Sequence, residues 1–325
     1  MNVTAVVVSW NVKDHLPRCL DSLQGAEMVV VVDNASTDGT QDFVRTHYPQ
    51  VHLIANATNR GFAAAVNQGI AIADTDAVLV LNPDAYLLPG ALENLTGALV
   101  QHPQAAAVGP KVINPDGTTQ STRRRFPTLA TAFLESTIIQ DHFPNLTHLQ
   151  RFYCQDSHED QEQDVDWLVG SCLLLRRSAL CHSERSEESP LQNARPASHT
   201  ITPVGLFDPR FFLYFEELDW FLRARQAGWT ARYIPTARAI HQGGASTIQV
   251  PKMAHLYFSA SRHAFYAKHY GPIGGAAVHA FTLLSYLLRA LEDTAKLALG
   301  HRSELRRTRI SLYLSVLRGT LSASF

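Results

Sequence analysis

Short apolar runs alternate with segments of helical periodicity along the N-terminal part of the chain. Four of the runs predict strands, at residues 3–9, 28–32, 51–54 and 77–81. The first is continuously apolar, which is the pattern of a strand buried on both faces of a sheet. Helices are predicted between the runs, near residues 14–23, 38–45 and 61–72. This β-α-β-α-β-α-β order indicates an α/β fold with a parallel central sheet and right-handed crossovers.

Polar residues stand directly after three of these predicted strands. Asn11 follows the first strand, Asp33 the second and Asp84 the fourth. In an open α/β sheet, ligands bind beyond the carboxyl ends of the strands. The three positions therefore predict a binding site at that edge. Asp38 and Gly39, in the turn after Asp33, are interpreted as a helix cap and a turn residue.

The rest of the chain has fewer clear patterns. Strand character is predicted for residues 166–175 and 231–234. Helices are predicted for residues 129–139, 216–227 and 252–269. Gly228 follows the helix predicted at residues 216–227, in the position where a glycine commonly ends a helix.

Residues 181–200 (CHSERSEESPLQNARPASHT) interrupt this organisation. The segment is rich in Ser and Glu and has few apolar residues, so burial cannot offset the entropy lost on ordering it. We predict a disordered surface insertion, which the fold tolerates because lengthening a loop changes the free energy of unfolding little.

The segment after residue 270 is rich in Leu and Ala and then becomes basic. Its most apolar part, residues 273–288, is short for a bilayer span, which needs about 20 residues, so no transmembrane helix is assured. Four leucines share a helical stripe, Leu283, Leu284, Leu287 and Leu288. Basic residues follow at Arg289, Lys296 and Arg302. The pattern favours equally an amphipathic helix pair on anionic lipid and ordinary packed helices.

Composition narrows the classes of function. Of the 325 residues, 46% are hydrophobic, and the formal net charge is −1. A core can therefore be buried, and no basic field indicates a nucleic-acid partner. The four cysteines form no CxxC pair, which disfavours a zinc site or a disulfide framework and fits a reducing compartment. No basic segment with a following apolar run opens the sequence, so no signal peptide is expected.

Five motifs occur in a fixed order along the chain. They are VVVSWN (6–11), VDNASTDGT (32–40), NRGFAAAVNQG (59–69), LNPDA (81–85) and GLFDPRFFLYFEELDWFLRARQAGW (205–229), which HQGG (241–244) follows. Together they resemble the GT-A-fold family 2 glycosyltransferases, especially the bacterial rhamnosyltransferase-like branch. The resemblance implies a GT-A domain over residues 1–270, with a Rossmann-like, mostly parallel sheet and flanking helices. Residues 271–325 then form a C-terminal helical appendage.

The resemblance also implies a site for a nucleotide-diphosphate sugar at the strand ends. Contacts with this donor are expected from seven residues, namely Ser9, Asn11, Asp33, Arg60, Asn67, Asn82 and Gly170. Arg60 suits a diphosphate, because a guanidinium is always charged and can bond phosphate bidentately. Gly170 would allow close approach of the backbone, although a strand bend is the alternative interpretation.

Asn82-Pro83-Asp84 stands where the family has its Asp-x-Asp metal motif, with Asn in the first place. Asp84 is the one carboxylate of the triplet, and Mg²⁺ or Mn²⁺ prefers hard oxygen ligands. The family has a further metal ligand at the position of His241. From the residues alone, Asp84 could instead cap a helix over 88–101, and His241 could bond a backbone carbonyl.

Glu216-Glu217-Leu218-Asp219 matches the catalytic segment of the family, in which the second acid takes the proton of the acceptor hydroxyl. The family usually has Asp there, whereas this chain has the longer Glu217. We expect Glu217 to be the base, with Asp219 next and Glu216 last. Asp219 and Arg223 are spaced i,i+4, so a surface ion pair is an alternative role for Asp219. Glu216 could simply favour the helix N-terminus.

The resemblance thus implies an inverting, metal-dependent glycosyltransferase, which we expect in the cytoplasm and peripheral on the inner face of the plasma membrane. The expected donor is dTDP-rhamnose or a UDP-sugar, and the acceptor is a glycan or lipid-linked molecule of cell-surface polysaccharide synthesis. The arginines at 123–125 would suit a lipid diphosphate, although such runs are usually solvated. A nucleotide-sugar-binding protein without turnover is the alternative, because of Asn82 and Glu217. A dinucleotide-binding oxidoreductase is disfavoured, because no GxGxxG follows the first strand.

Overall fold

The computed structural model describes residues 1–136, 139–180 and 201–322. The insertion predicted at residues 181–200 lies outside these residues.

The described residues form a large mixed sheet and one small strand pair. The strands are β1 (Val3–Ser9), β2 (Met28–Asp33), β3 (His52–Ala55), β4 (Ala77–Leu81), β5 (Ala85–Leu87), β6 (Ala105–Ile113), β7 (Arg123–Arg124), β8 (Gln163–Val165), β9 (Trp167–Leu168), β10 (Cys172–Arg176) and β11 (Thr230–His241). The large sheet has the order β3-β2-β1-β4-β10-β6-β11-β5, and β8 also pairs with β11. β7 and β9 form the separate pair.

Helices connect and follow these strands. They are α1 (Leu16–Asp21), α2 (Thr40–His47), α3 (Phe62–Ile72), α4 (Ala91–Gln101), α5 (Leu129–Ser136), α6 (Ile139–His142), α7 (Thr147–Phe152), α8 (Arg177–Leu180), α9 (Glu216–Gln226), α10 (Pro251–Ala298) and α11 (Ser303–Ser322). The predicted α/β order is therefore confirmed for the N-terminal part, and Gly228 ends α9 with a φ of +89° as predicted.

The parallel part of the sheet follows from continuous apolar runs. β1 and β4 are buried along their whole length, and β1 pairs in parallel with both β2 and β4. Helix α3 approaches β1 closely at Gly69, where a Cβ atom would come within 2.4 Å of the Val6 side chain. At this position the absence of a side chain is what allows the helix to lie against the strand.

Two antiparallel pairings determine where the later segments meet the edge of the sheet. β10 runs antiparallel to β4, with Cys172 opposite Leu81. The residues before β10 therefore lie beside the carboxyl end of β4. β11 pairs antiparallel with β5, with His241 opposite Ala85. His241 thus belongs to a strand that continues well past the predicted end at residue 234, after a register shift against β6.

The interpretation of Asp84 as a helix cap is wrong. β5 begins at the next residue, and α4 begins only at Ala91, where Gly90 in a left-handed conformation precedes it. Asp84 therefore lies between two strands, at the carboxyl edge of the sheet.

The contacts divide the chain into two compact units. One contains Met1–Arg124, Ser157–Pro209 and Glu216–Ser246, and the other contains Arg125–Asp156, Arg210–Phe215 and Thr247–Phe325. The sheet and all the predicted site residues belong to the first unit. The whole of α10 falls in the second unit, while the domain boundary predicted at residue 270 stays a prediction.

In the second unit, α10 and α11 pack against each other. Their shared apolar cluster contains Tyr286, Ala290, Tyr313 and Val316. An ion pair between Arg306 and Asp293 is buried beside it. Because both charges are withdrawn from water, removing one partner alone would leave a buried charge without compensation.

α10 is interrupted at Gly271, which has a φ of 77° and a ψ of 172°. This conformation is open to glycine and unfavourable for other residues. In the part of the chain that the structure describes, α10 is the one helix with the length and composition to cross a membrane. Core helices of soluble proteins share these two properties, so they do not by themselves indicate a span.

Candidate active site

The loops that follow β1 and β2 are tied together by Asn11. Its backbone N–H donates to Ser36 Oγ at 2.9 Å, and its side-chain Oδ1 accepts from the Thr37 N–H at 2.7 Å. Asn11 has a φ of 52°, a left-handed conformation that Asn tolerates better than most residues. Asn11 therefore shapes this loop, and its contact with a donor stays a prediction.

Asp33 lies fully buried at the end of β2. Its Oδ1 accepts from the Ser36 N–H at 3.0 Å and from Gln41 Nε2 at 2.7 Å. Its Oδ2 has no hydrogen-bond partner among the described residues. An unpaired buried carboxylate oxygen is unfavourable, so an N–H or O–H group of a ligand would stabilise it. Asp38, by contrast, accepts from the Thr40 N–H at 3.1 Å. The prediction that Asp38 caps the helix is wrong, because the residue before α2 is Gly39, in a left-handed conformation.

Three further predicted donor residues have different surroundings. Ser9 is buried, and its hydroxyl has no hydrogen-bond partner in the described part of the chain. Arg60 is exposed. Asn67 is held by a backbone segment, because its Nδ2 donates to the Phe207 carbonyl at 2.8 Å and its Oδ1 accepts from the Phe207 N–H at 3.1 Å. Asn67 thus positions the segment that leads to α9, which sequence reasoning did not anticipate.

Asp84 and His241 come together at the edge of the sheet. His241 Nε2 lies 3.2 Å from Asp84 Oδ1 and 3.3 Å from Asn82 Nδ2. Asp84 Oδ2 accepts from the Ala245 N–H at 3.2 Å. Burial opposes ionisation of Asp84, but the hydrogen bond and charge of His241, with the Ala245 N–H, bring its pKa below the ordinary value. Asp84 is therefore anionic at neutral pH.

The ring of His241 bonds a side chain and not a backbone carbonyl, which the sequence had left as the alternative. Its Nδ1 lies 2.9 Å from Gln120 Oε1. Gln120 was missed from the sequence, because nothing in the pattern connects it with a residue 121 positions away.

Glu217 lies beside the connection between β9 and β10. Its Oε1 accepts from the Gly170 N–H at 3.2 Å, while its Oε2 has no hydrogen-bond partner among the described residues. The next residue after Gly170, Ser171, accepts through its carbonyl from the Asn82 N–H at 3.0 Å. Two hydrogen bonds to adjacent residues thus connect the predicted base with the predicted metal triplet.

Glu216 and Glu217 are neighbouring acids, of which the first is buried and the second half-buried. Burial and the charge of Glu217 raise the pKa of Glu216 well above its ordinary value. Burial also raises the pKa of Glu217, against the opposing effects of backbone N–H groups and of Arg124. Perturbed carboxyl groups of this kind are typical of proton-transfer sites.

Asp219 is fully buried and forms an ion pair with Arg223 at 2.9 Å. Arg223 also donates to the carbonyl oxygens of Val204, at 2.7 Å, and Leu206, at 2.8 Å. The i,i+4 pair predicted from the sequence is confirmed, but it is buried on the Asp219 side and joins α9 to the preceding segment. A catalytic role for Asp219 stays a prediction.

The sequence model of the family described as "Glycosyl transferase family 2" matches residues 4–181, more than half of the chain. The chain belongs to this family. It is 32% identical over 282 residues to the N-acetylglucosaminyl-diphospho-decaprenol L-rhamnosyltransferase of Mycobacterium tuberculosis, in strains CDC 1551 / Oshkosh and ATCC 25618 / H37Rv alike. The alignment covers 80% of this chain and 84% of the relative.

The fold of this glycosyltransferase is similar to that of a solved mannosyltransferase from Pyrobaculum calidifontis, in complex with GDP-Man and Mn²⁺. The TM-score is 0.55 and the identity 18%, over 100% of this chain and 88% of the other. At this identity the likeness shows the fold alone, and it confirms the predicted GT-A fold.

The glycosyltransferase site was tested for its fit to a divalent cation. No group of three or more His, Cys, Asp or Glu side chains suited to a metal occurs within residues 1–136, 139–180 and 201–322. Asp84 and His241 supply a carboxylate and an imidazole, an acceptable donor set for Mn²⁺. Two protein ligands fit a cation that is held mainly by substrate phosphates and water, as is usual for Mg²⁺.

A pocket of about 260 Å³ opens beside Asp84. It is lined by Asp14, His15, Arg18, Asp84, Tyr86 and Gln242. Its lining contains a cationic group, Arg18, and two anionic groups, Asp14 and Asp84. This pocket therefore suits a polar part of a ligand next to Asp84.

The basic run at residues 123–125 is not simply solvated. Arg123 Nη1 donates to Ser157 Oγ at 3.1 Å, and the Arg123 guanidinium lies 5.1 Å from the centre of the Tyr233 ring. Arg124 Nη1 donates to the Ser121 carbonyl at 2.7 Å. These two arginines therefore have structural contacts in the glycosyltransferase, and a role toward a lipid diphosphate stays a prediction.

We expect Glu216→Gln to change how stability depends on pH. A carboxyl group whose pKa is raised on folding stabilises the fold below its unfolded pKa, and this contribution is lost as pH rises through the folded pKa. Glu216 should follow this rule, because its pKa is raised well above the ordinary value. The glutamine side chain cannot ionise, so the variant should exceed the wild type in unfolding free energy at pH 8 by at least about 1 kcal/mol, with a smaller or reversed difference at pH 5.

Urea unfolding at both pH values measures this difference. Glu304→Gln is the matched control, because that side chain is 92% exposed and its replacement should leave the pH profile unchanged. Equal differences for Glu216→Gln at pH 5 and pH 8 would contradict the expectation.

We expect Asp219→Ala to destabilise the fold. It leaves the Arg223 guanidinium, with 22% of its side chain exposed, without its anionic partner. Breaking a buried ion pair reduces the free energy of unfolding by about 3 kcal/mol. Asp42→Ala is the control, since Asp42 and Arg45 form an exposed pair and such pairs contribute about 0–1 kcal/mol. Similar small losses in both variants would show that the Asp219 pair has no special role in stability.

Proposed function

We propose that this glycosyltransferase moves L-rhamnose, with inversion, from dTDP-rhamnose to the N-acetylglucosamine of a polyprenyl-diphosphate-linked acceptor. The rhamnosyltransferase relative, aligned over 80% of the chain, supports the substrate classes. The observation that carries the mechanism is the connection from Glu217 through Gly170 and Ser171 to Asn82, because it places a proton acceptor near Asp84, two residues after Asn82.

At the donor end, Asp33 and the loop shaped by Asn11 face the nucleoside in our proposal. The unpaired Oδ2 of Asp33 accepts an N–H of the base or a hydroxyl of the ribose. The exposed Arg60 bonds the diphosphate, for which a guanidinium has suitable geometry. Ser9 offers the donor its hydroxyl, which has no partner among the described residues. Asn67 holds Phe207, and the Gly170 N–H holds Glu217.

Asp84 and His241 would hold the divalent cation that accompanies the donor diphosphate. Asn82, whose amide lies against His241 Nε2, completes the polar surface. When bound, the cation neutralises charge that develops on the leaving diphosphate.

Glu217 takes the proton in this proposal. The acceptor oxygen bonds the anomeric carbon while the bond from that carbon to the diphosphate oxygen breaks, and the hydroxyl proton passes to Glu217. The carboxylate form is required, so the rate should rise with pH through the raised pKa of Glu217. The charge of Glu217 raises the pKa of the neighbouring Glu216, so Glu216 keeps its proton while Glu217 is ionised.

Transfer of label from dTDP-[¹⁴C]rhamnose to a GlcNAc-diphosphate-polyprenol tests the proposal. Labelled lipid that depends on Mn²⁺ or Mg²⁺ is the expected result. Transfer from a UDP- or GDP-sugar instead would overturn the donor assignment and keep the transferase. Donors that raise the melting temperature without any transfer would favour the alternative, a nucleotide-sugar-binding protein without turnover.

We further propose that the protein is cytoplasmic and peripheral on the inner face of the plasma membrane, with α10 as its contact. After Gly271, six apolar residues at intervals of three or four form an exposed stripe along α10, namely Ile273, Ala276, Ala280, Leu284, Leu287 and Leu291. Leu284 and Leu287 belong to the leucine set predicted from the sequence. Exposed arginines follow on α11, at Arg307, Arg309 and Arg318, and such a combination suits an anionic lipid surface.

Sedimentation with vesicles of phosphatidylglycerol and phosphatidylcholine tests this contact. We expect binding to anionic vesicles that the double variant Leu284→Ser and Leu287→Ser largely loses. Ile72→Ser with Val100→Ser is the control, since both residues are exposed on the first unit. Unchanged binding of the leucine variant, or a dimer in solution that the same variant disrupts, would overturn the membrane assignment.

A further inference from the structure

A chain of hydrogen-bonded side chains leads from the turn after β6 to His241. Gln120 Oε1 lies 2.9 Å from His241 Nδ1, and Gln120 Nε2 lies 2.7 Å from the His241 carbonyl oxygen. Both ends of the Gln120 amide therefore meet His241, one at the ring and the other at the backbone.

The groups behind Gln120 fix the direction of its amide. The Asp116 carboxylate can only accept, and Thr118 Oγ donates to it at 2.6 Å. Thr118 Oγ then accepts from Asn114 Nδ2 at 2.9 Å. This leaves Asn114 Oδ1 to accept from Gln120 Nε2 at 2.7 Å. Gln120 thus presents its oxygen to His241 Nδ1, and only a protonated Nδ1 can donate to that oxygen.

This polarity leaves the other ring nitrogen free to act as a ligand. In a neutral imidazole, a proton on Nδ1 means a lone pair on Nε2. His241 Nε2 is the atom that lies 3.2 Å from Asp84 Oδ1. At this distance the Nε2–H donates to the Asp84 carboxylate. A cation held by Asp84 and His241 would displace that proton, while the Nδ1 proton stays directed at Gln120 Oε1.

The backbone of the turn keeps these side chains in place. The sequence NPDGTTQ covers residues 114–120, and Gly117 has a φ of +88°. The Gly117 N–H donates to the Asn114 carbonyl at 2.9 Å, and the Asn114 N–H donates to the Thr118 carbonyl at 2.7 Å. Because the turn is closed by its own hydrogen bonds, the side-chain relay is preorganised before any ligand binds.

We propose that Gln120, oriented by the turn at residues 114–118, is a positioning residue that keeps the Nε2 lone pair of His241 available to the divalent cation. The proposal rests on the metal role proposed for Asp84 and His241. A ligating histidine whose second nitrogen donates to a fixed acceptor is both correctly oriented and more basic. Gln120 fulfils this function with a neutral amide, and the acceptor-only carboxylate of Asp116 sets its direction.

Binding of Mn²⁺ measured by electron paramagnetic resonance, alone and with dTDP, tests the proposal without turnover. Gln120→Leu removes the acceptor at Nδ1, whereas Gln120→Glu keeps one. We expect Gln120→Leu to weaken Mn²⁺ binding by about 10–100-fold, the range for loss of a group behind a metal ligand. Gln120→Glu should bind Mn²⁺ more tightly than Gln120→Leu, since its carboxylate still accepts from Nδ1, although it loses the two bonds that Gln120 Nε2 donates. Gln104→Leu, at an exposed position, is the control and should bind as the wild type does.

The protonation of the ring nitrogens supplies a second readout, for which no Gln120 variant is needed. In ¹⁵N spectra of the wild type with Mg²⁺ and dTDP at neutral pH, the ring signals that His241→Ala removes should be those of an imidazole protonated at Nδ1. A dominant Nε2-protonated form, or equal Mn²⁺ affinity of Gln120→Leu and wild type with equal melting temperatures, would overturn the role of Gln120. Absence of Mn²⁺ binding in the wild type, with or without dTDP, would overturn the cation site as well.

Discussion

Asp84→Ala should abolish transfer, with a loss of at least about a thousandfold, and should remove the response of donor binding to Mn²⁺. The cation contributes several kcal/mol to stabilisation of the leaving diphosphate, and each 1.36 kcal/mol is a factor of about ten in rate. Asp84 is the carboxylate next to His241 Nε2, so its removal leaves one protein ligand of the proposed pair. Donor-induced shifts of melting temperature, with and without Mn²⁺, measure the binding effect separately from the rate.

Two further variants make the result interpretable. Asp84→Asn keeps the volume and a group for the Ala245 N–H, and it should still lose the Mn²⁺ response. Asp74→Ala removes an exposed carboxylate that precedes β4 at the opposite edge of the sheet, and its activity should equal that of the wild type. If Asp84→Ala and Asp84→Asn keep the wild-type Mn²⁺ response, Asp84 does not bind the cation.

Glu217→Gln should reduce kcat by about 10²–10⁴-fold, the usual contribution of a general base. The substitution keeps the shape of the side chain and its acceptor for the Gly170 N–H, so donor affinity should change little. The wild-type rate should rise with pH through the raised pKa of Glu217, and this limb of the profile should disappear in the variant. Steady-state kinetics between pH 5 and 9 provide both measurements.

Asp219→Asn is the decisive comparison for the base. It is expected to lower stability through the pair with Arg223 and to retain the pH limb of the wild type. If Asp219→Asn instead removes that limb and Glu217→Gln keeps it, the roles of the two acids must be exchanged.

The fold could be predicted where one short segment contains all the information. The buried strands β1 and β4 follow from apolar runs of matching length, and both are found with the predicted bounds. The direction of β10 could not be predicted, because strand character says nothing about which neighbour a strand pairs with. The extension of β11 to His241 was missed for a similar reason, since alternation is lost at the register shift after Ile234.

Individual residues of the site could be predicted from the sequence, but the contacts between them could not. Asn82 and His241 are 159 residues apart, and only the pairing of β11 with β5 brings them together. The i,i+4 spacing predicted the pair of Asp219 and Arg223, but its burial depends on carbonyls at Val204 and Leu206 that no helical pattern indicates. Gln120 belongs to no motif, because its role depends on the contacts of its amide with Asn114 and His241.

The close approach of α3 to β1 limits how this sequence can change over evolution. A methyl group at Gly69 would lie 2.4 Å from the Val6 side chain, so even alanine would push the helix outward. Two residues earlier, Asn67 holds Phe207 by two hydrogen bonds, and the displacement would pass to the chain that enters α9. Gly69 is therefore expected to be replaced over evolution as rarely as the acids of the site. A library of random substitutions at position 69 should yield few folded members.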